Sequence, residues 1–196
     1  MNTITEILNW ISNSLLLPVI VLLLAAMAAA LVSLGGFSSS CLVLLRQRKE
    51  RERLLEAIRS GQEIEPGKLG TGIFARHLAE LASLNWDELE CEKRITEYEM
   101  KYEHELERSK FMMKVAPMLG LMGTLIPMGP ALGGLASGDI GSMAYNMQIA
   151  FATTVVGCFA AGVGLLVYSV RRHWYAEEIS NLRYVLERQL RKRGEA

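Results

Sequence analysis

Charge is missing from long stretches of this 196-residue chain. Between Ile7 and Leu45 there is no Asp, Glu, Lys, Arg or His, and the same holds from Val115 to Gly138 and from Ile140 to Val170. A helix needs about 20 apolar residues to cross the hydrocarbon core of a bilayer, so each run is long enough to span it. Histidine and cysteine are scarce as well, with three of each. His77, His104 and His173 are scattered through the charged parts and show neither a nucleophile–base pair nor a ligand spacing, so no enzyme chemistry is expected. Cys41, Cys91 and Cys158 form no metal-cage or disulfide pattern and read as small hydrophobes. No phosphate loop is present either: in "GQEIEPGKLGTG" the glycines Gly61 and Gly67 stand one residue too far apart and Lys68 is followed by Leu69. That stretch reads as a turn between helices. No metal and no cofactor are expected.

What is present fits a membrane. Hydrophobic residues make up 51% of the chain, too many for a small soluble protein, and the formal net charge is zero. Of the 21 Lys and Arg, 14 lie in Arg46 to Lys114 and 7 in Arg171 to Ala196. Lys and Arg in short flanks mark the cytoplasmic side, and "RQRKERER" stands at a membrane exit, so the N-terminus is expected outside and the C-terminus inside. Met1 to Trp10 lacks a basic start and carries Glu6, which does not suit a cleaved signal peptide. The expected location is the cytoplasmic (inner) membrane, with several passes.

Five segments follow. In residues 1–14, Ile4, Ile7, Leu8 and Ile11 recur at helical spacing toward Leu15, with Trp10 among them. This suits an amphipathic helix in the outer interface and equally an early start of the first span. Pro18 fits the first turn of a helix, where its missing N–H is no loss. Residues 15–60 form the first transmembrane helix with a cytoplasmic extension, because the apolar run outlasts a perpendicular span and continues through "RKERERLLEAIRS" to an end near Gly61. Residues 61–110 form a cytoplasmic helical domain, whose helical pattern resumes at Asn85. There Ile95, Tyr98, Tyr102, Leu106 and Met113 make one stripe, beside an acidic side that neighbouring basic segments are expected to balance. Residues 111–170 hold the second and third spans. Residues 171–196 form a cytoplasmic helix with Ile179, Leu182, Leu186 and Leu190 at similar spacing. The fold class is an all-α membrane protein with three transmembrane helices and long cytoplasmic helical extensions.

Inside the spans, small residues dominate certain faces. Lipid tails are as apolar as leucine, so membrane helices associate through close van der Waals contact, which small side chains permit. Gly129 and Gly133, Gly134 and Gly138, Gly157 and Ala161, and Ala160 and Gly164 are each four apart, and Ala150, Thr154, Gly157, Ala161 and Gly164 share one face. Three helices cannot bury so many small faces among themselves, which points to an oligomer or a partner helix. Thr124, Thr153 and Thr154 lie at mid-depth; each can satisfy its own hydroxyl, yet on small-residue helices they suit a shared hydrated path. Pro117, Pro127 and Pro130 leave carbonyls without donors, and a helix kinked in this way is suited to lining something.

The stretches "VAPMLGLMGTLIPMGPALGGLASGD" and "AFATTVVGCFAAGVGLLVYS" resemble the paired transmembrane signature of the MotA/TolQ/ExbB proton channel family. Ala116, Pro117, Leu119, Gly120, Leu121, Gly123 and Thr124 match its outgoing helix, Gly138 and Asp139 its link, and Ala150, Thr154 and Gly157 its returning helix. Three crossings with one large cytoplasmic segment resemble the TolQ and ExbB branch rather than the four-helix flagellar branch. The resemblance implies a homopentamer whose second and third helices ring a pore, filled by membrane helices of a one-span ExbD/TolR-like partner bearing an essential aspartate. It implies further that ion passage drives a motion passed to a distant load, and that the two pore threonines fall on Thr124 and Thr154. Pro117, Gly120, Gly123, Ala150, Gly157, Ala161 and Gly164 would then pack against a partner helix. Pro127 and Pro130 depart from the family pattern, so the outer half of that helix is expected to bend differently. One point is independent of the resemblance: the second and third spans hold no Asp, Glu, His, Lys or Arg, so a conducted proton would need a carboxylate from another subunit. A non-conducting oligomeric membrane scaffold is the alternative.

Overall fold

A computed structural model describes residues 2–60 and 72–194, with the backbone alone given at 2, 5, 9 and 39–49. The glycine-rich segment 61–71, expected to be a turn, lies outside the described residues. Four helices account for nearly all the rest: α1 (Asn2–Arg59), α2 (Ile73–Ser83), α3 (Glu88–Ser137) and α4 (Ile140–Gly194). At 1.5 Å of rise per residue the three long helices measure roughly 75–87 Å, against about 30 Å of hydrocarbon. Each is therefore far longer than a span requires. α1 over Glu6–Ser38, α3 and α4 are the helices long and apolar enough to cross a membrane.

Pro18 does not open a helix; it lies inside α1, which begins at Asn2. α3 likewise stays helical through Pro117, Pro127 and Pro130. These stretches are apolar enough to cross a membrane, and where water does not compete for the backbone a helix that loses one bond to proline gains nothing by unwinding further. Between α2 and α3 the chain does break. Asn85 and Trp86 both take the left-handed conformation at φ 52°, uncommon for a bulky residue. Asp87 then caps α3, its carboxylate accepting the Glu90 N–H at 3.0 Å while Glu88 and Glu90 complement the helix dipole. The helical pattern read from Asn85 therefore becomes a helix three residues later, at the first residue past the cap.

Contacts divide the chain into two compact units, and α1, α3 and α4 contribute to both. The first comprises Met1–Gly35 and Arg108–Tyr168. In it Val19 and Leu23 of α1 are buried with Ile126 of α3, with Leu16, Leu119 and Val156 packed around them.

The second unit comprises Gly36–Glu107 and Ser169–Ala196. Its core joins Ile58 of α1, Phe74, Leu78 and Leu81 of α2, Cys91, Ile95 and Tyr102 of α3, and Ile179, Leu182, Val185 and Leu186 of α4. Cys91 is a small hydrophobe in this core, as its sequence context suggests, and burial pushes its thiol above the usual range, with the Asp87 charge adding to the effect. Most of the stripe expected on α3 is buried here, and the α3 acids do meet bases: Arg183 donates to Glu99 at 2.8 Å and Arg94 lies 3.1 Å from Glu97. Tyr102 and Tyr175 stack 4.1 Å apart within 3° of parallel, and their hydroxyls donate to Glu178 at 2.9 Å and Glu105 at 2.6 Å.

Burial raises the phenols of Tyr98, Tyr102 and Tyr175 first, and their carboxylate partners raise them further. A phenol that ionises later when folded contributes stability that is whole below the free value of 10.0 and is lost as pH climbs above it. Stability of the second unit is thus expected to fall steeply above about pH 10, and Tyr102→Phe, which cannot ionise, to make that alkaline slope shallower in denaturant melts. Leu182→Ala, emptying a fully buried position, is expected to cost about 2–5 kcal/mol, whereas Leu89→Ala, at a residue 78% exposed, should stay within about 0.5 kcal/mol in the same melts.

Candidate functional site

The charge-free halves of α3 and α4 are joined by a turn that their sequence dictates. Gly138 takes φ +77°, the left-handed position that ends α3. The Asp139 N–H returns to the Gly134 carbonyl at 2.8 Å and the Gly138 N–H to that of Leu135 at 3.2 Å, the paired closure of a Schellman end. Asp139 then opens α4, its carboxylate accepting the Ser142 N–H at 3.0 Å. The Gly-Asp link thus has a structural account: one residue to stop a helix, the next to start another. A Cβ on Gly134 would lie 3.1 Å from the Asp139 carbonyl, so glycine also permits the tight return.

Behind the turn the two helices meet along glycines. A Cβ on Gly157 would stand 2.8 Å from the Ala116 carbonyl oxygen and 2.9 Å from Gly120 Cα, closer than real side chains come. On Gly123 it would stand 2.6 Å from Thr153 Cβ, and on Gly164 3.0 Å from the Met113 nitrogen. Backbone therefore lies on backbone from Gly164 through Gly157 to Gly120. Ala116, Ala150 and Ala160 are buried with these glycines. The contact line on α4 runs Ala150, Thr153, Gly157, Ala160, Gly164, while Thr154 and Ala161 flank it half-buried. Steps of three-four and four-three along a helix differ by one residue, and only the glycines opposite decide which line is pressed inward. In the sequence Ala160 stands out only as a small-residue pair with Gly164, and Ala116 only in the family match; both are signalled as packing positions by their three- and four-residue steps from Gly157 and Gly120.

The threonines divide. Thr153 is buried in this seam, its hydroxyl donating to Ala150 O at 2.9 Å and Ile149 O at 3.1 Å, while its side chain fills the space that Gly123 leaves. Thr124 and Thr154 are half-buried beside it, donating to Leu121 O at 2.6 Å and Ala150 O at 3.2 Å. Of the other residues expected to pack helices, Gly120, Gly123, Ala150, Gly157 and Gly164 are buried and Pro117 is exposed. Among the described residues, Gly129, Gly133 and Gly162 meet nothing within 4 Å of where a Cβ would be. No cluster of His, Cys, Asp or Glu able to hold a metal occurs among the described residues.

Gly157→Ala is expected to force the helices apart and cost about 1–3 kcal/mol in thermal melts of the purified protein, whereas Gly162→Ala should be neutral or slightly stabilising. Equal effects from the two substitutions would remove the seam from this account.

The model of the MotA/TolQ/ExbB proton channel family matches residues 68–184, a segment that includes the seam, its turn and the helices of the second unit on either side. Comparison with curated proteins and with solved structures gives no match.

Proposed function

Because this chain belongs to the MotA/TolQ/ExbB proton channel family, we propose that it is a TolQ/ExbB-like, ion-conducting stator subunit of a membrane motor driven by the proton-motive force. With three helices long and apolar enough to cross a bilayer, it is built as a multi-pass membrane protein. In the proposed arrangement the first unit spans the inner membrane and the second stands in the cytoplasm with the C-terminus, leaving the N-terminus outside. The asymmetry of Lys and Arg supports that orientation. Five copies would ring a pore, and a one-span ExbD/TolR-like partner would place its membrane aspartate inside it, so that ion flow energises transport or envelope work at a distance.

The observation that carries this reading is the pairing of a glycine-welded α3–α4 hairpin with an absence of charge. The hairpin is closely packed, and its runs from Val115 to Gly138 and Ile140 to Val170 hold no Asp, Glu, His, Lys or Arg. The wall can line a path but must borrow its acid. Thr124 and Thr154 are assigned to that path, with Thr153 holding the wall together behind them. The open glycines at 129, 133 and 162 support further helix contacts outside the chain.

A second reading, a non-conducting oligomeric scaffold, draws on the fact that each of these threonine hydroxyls already has a carbonyl on its own helix. Thr154→Val separates the two, since it keeps the shape and deletes the hydroxyl. Proton flux into vesicles holding the chain and its partner should fall at least about tenfold while the particle's symmetry is unchanged. Undiminished flux, or no partner-dependent flux in the parent protein, leaves the scaffold.

A further inference from the structure

In the second unit one carboxylate is out of place. Glu178 of α4 is only 6% exposed, next to the buried Ile179 and in contact with the buried Tyr102, where an ionised carboxyl needs a counter-charge or several donors. Its Oε1 lies 2.7 Å from Nδ1 of His77 on α2 and accepts the Tyr102 hydroxyl of α3 at 2.9 Å. Three helices are thus pinned at one oxygen.

We propose that His77 and Glu178 form a proton-operated clasp that fastens α2 to α4, tight while the imidazole is a cation and loose when it is neutral. The proposal rests on the geometry of the second unit alone and is independent of ion conduction. A carboxylate only accepts, so Nδ1 donates to it in either charge state of the ring; what the second proton adds is charge. The bond to the carboxylate is charge-assisted in both states; the second proton adds the attraction between opposite charges, which is stronger where water is excluded. The imidazole side chain is 13% exposed, so the pair is largely screened from water yet still reachable by protons.

The surrounding charges leave the role to this histidine. From α3, Tyr98 lies against the ring at 4.0 Å between centroids and Tyr102 edge-on at 6.3 Å. Tyr98 donates its hydroxyl to Glu80 on the same helix as His77, and Arg94 of α3 pairs with that Glu80 at 3.3 Å. On α4, Glu177 next to Glu178 is taken by Arg51 of α1 at 2.6 Å, and Tyr175 is bound to Glu105. Arg183 is bound to Glu99. Arg51, Arg94 and Arg183 thus serve other carboxylates, and His77 is the basic group that meets Glu178 among the described residues.

α2 is the element such a clasp could release. It has 11 residues, too few to be a stable helix on its own, and no side chain caps its start at Gly72. Its attachment consists of the buried Phe74, Ala75, Leu78 and Leu81, the Glu80 contacts to α3, and the His77 pin to α4.

Amide exchange of the full chain in lipid nanodiscs, corrected for intrinsic rates, tests this. Between about pH 6 and pH 8.5, protection of Ile73–Ser83 should fall about fivefold relative to Ile179–Leu186. His77→Gln, which keeps a neutral donor, should hold protection at the lower value at both pH values. A pH response of α2 that survives in His77→Gln, or no response in the parent protein, overturns the clasp. Should the variant fail to fold, the carbon-13 resonance of the His77 ring in the parent protein serves instead. Ring titration and α2 loosening should follow one curve, and either occurring without the other overturns the proposal.

Discussion

The first unit is organised by how closely two helix backbones can approach. At Gly157 the distance left to Ala116 and Gly120 admits no side chain, and the same holds at Gly123 against Thr153. In lipid this is a substitute for the hydrophobic effect, which cannot drive one apolar helix onto another when the solvent is equally apolar. Dispersion is weak per atom pair and falls off steeply with a gap of even half an ångström, so backbone contact over several turns is what holds α3 to α4. The turn serves the same end: Gly134, Gly138 and Asp139 bring the chain back within the separation that the seam needs. Three prolines can sit in α3 because the helix is braced by a neighbour rather than standing alone.

The second unit follows the opposite rule on the same helices. Its core is made of large side chains, Leu78, Leu81, Ile95, Leu182 and Leu186, and its polar groups are paired across helices rather than avoided. That is the economy of a water-soluble bundle, where burying apolar area is favourable by about 25 cal/mol per Å² and exposed ion pairs add little. One chain thus uses two packing codes, small-on-small and large-in-groove. The change falls close to where charge returns to the sequence, near Arg108 on α3 and Tyr168 on α4.

Much of this is written in the sequence. Runs without charge locate the spans, because a missing charge is an unambiguous signal, and the stripes at Ile95, Tyr102, Leu182 and Leu186 locate the core of the second unit. What periodicity could not decide was local. It placed Pro18 at a helix start because the proline rule is calibrated on helices in water. It read Asn85 and Trp86 as helical because apolar spacing cannot see two residues with φ of 52°. On α4 the line buried within the chain runs through Thr153 and Ala160, beside the Thr154 and Ala161 face read from the sequence; two ladders one residue apart look alike until the opposing glycines are known. The His77–Glu178 contact joins residues 101 apart, beyond the reach of any local pattern.

On the proposed reading, the two threonines assigned to the path show how little a wall needs to do. Each hydroxyl spends its only proton on a carbonyl of its own helix, Leu121 for Thr124 and Ala150 for Thr154, and keeps lone pairs to accept with. In this geometry neither can donate to an ionised carboxylate without first breaking that bond. Both can accept from a protonated carboxyl or from water. A wall of acceptors therefore favours the neutral form of any acid beside it, and the cost of an isolated carboxylate in a low-dielectric bore acts in the same direction. On the proposed reading, the partner's aspartate would travel past this wall protonated and would ionise only where water or another donor replaces the threonines. The directionality of such a device would come from where the hydroxyls are not, rather than from where they are.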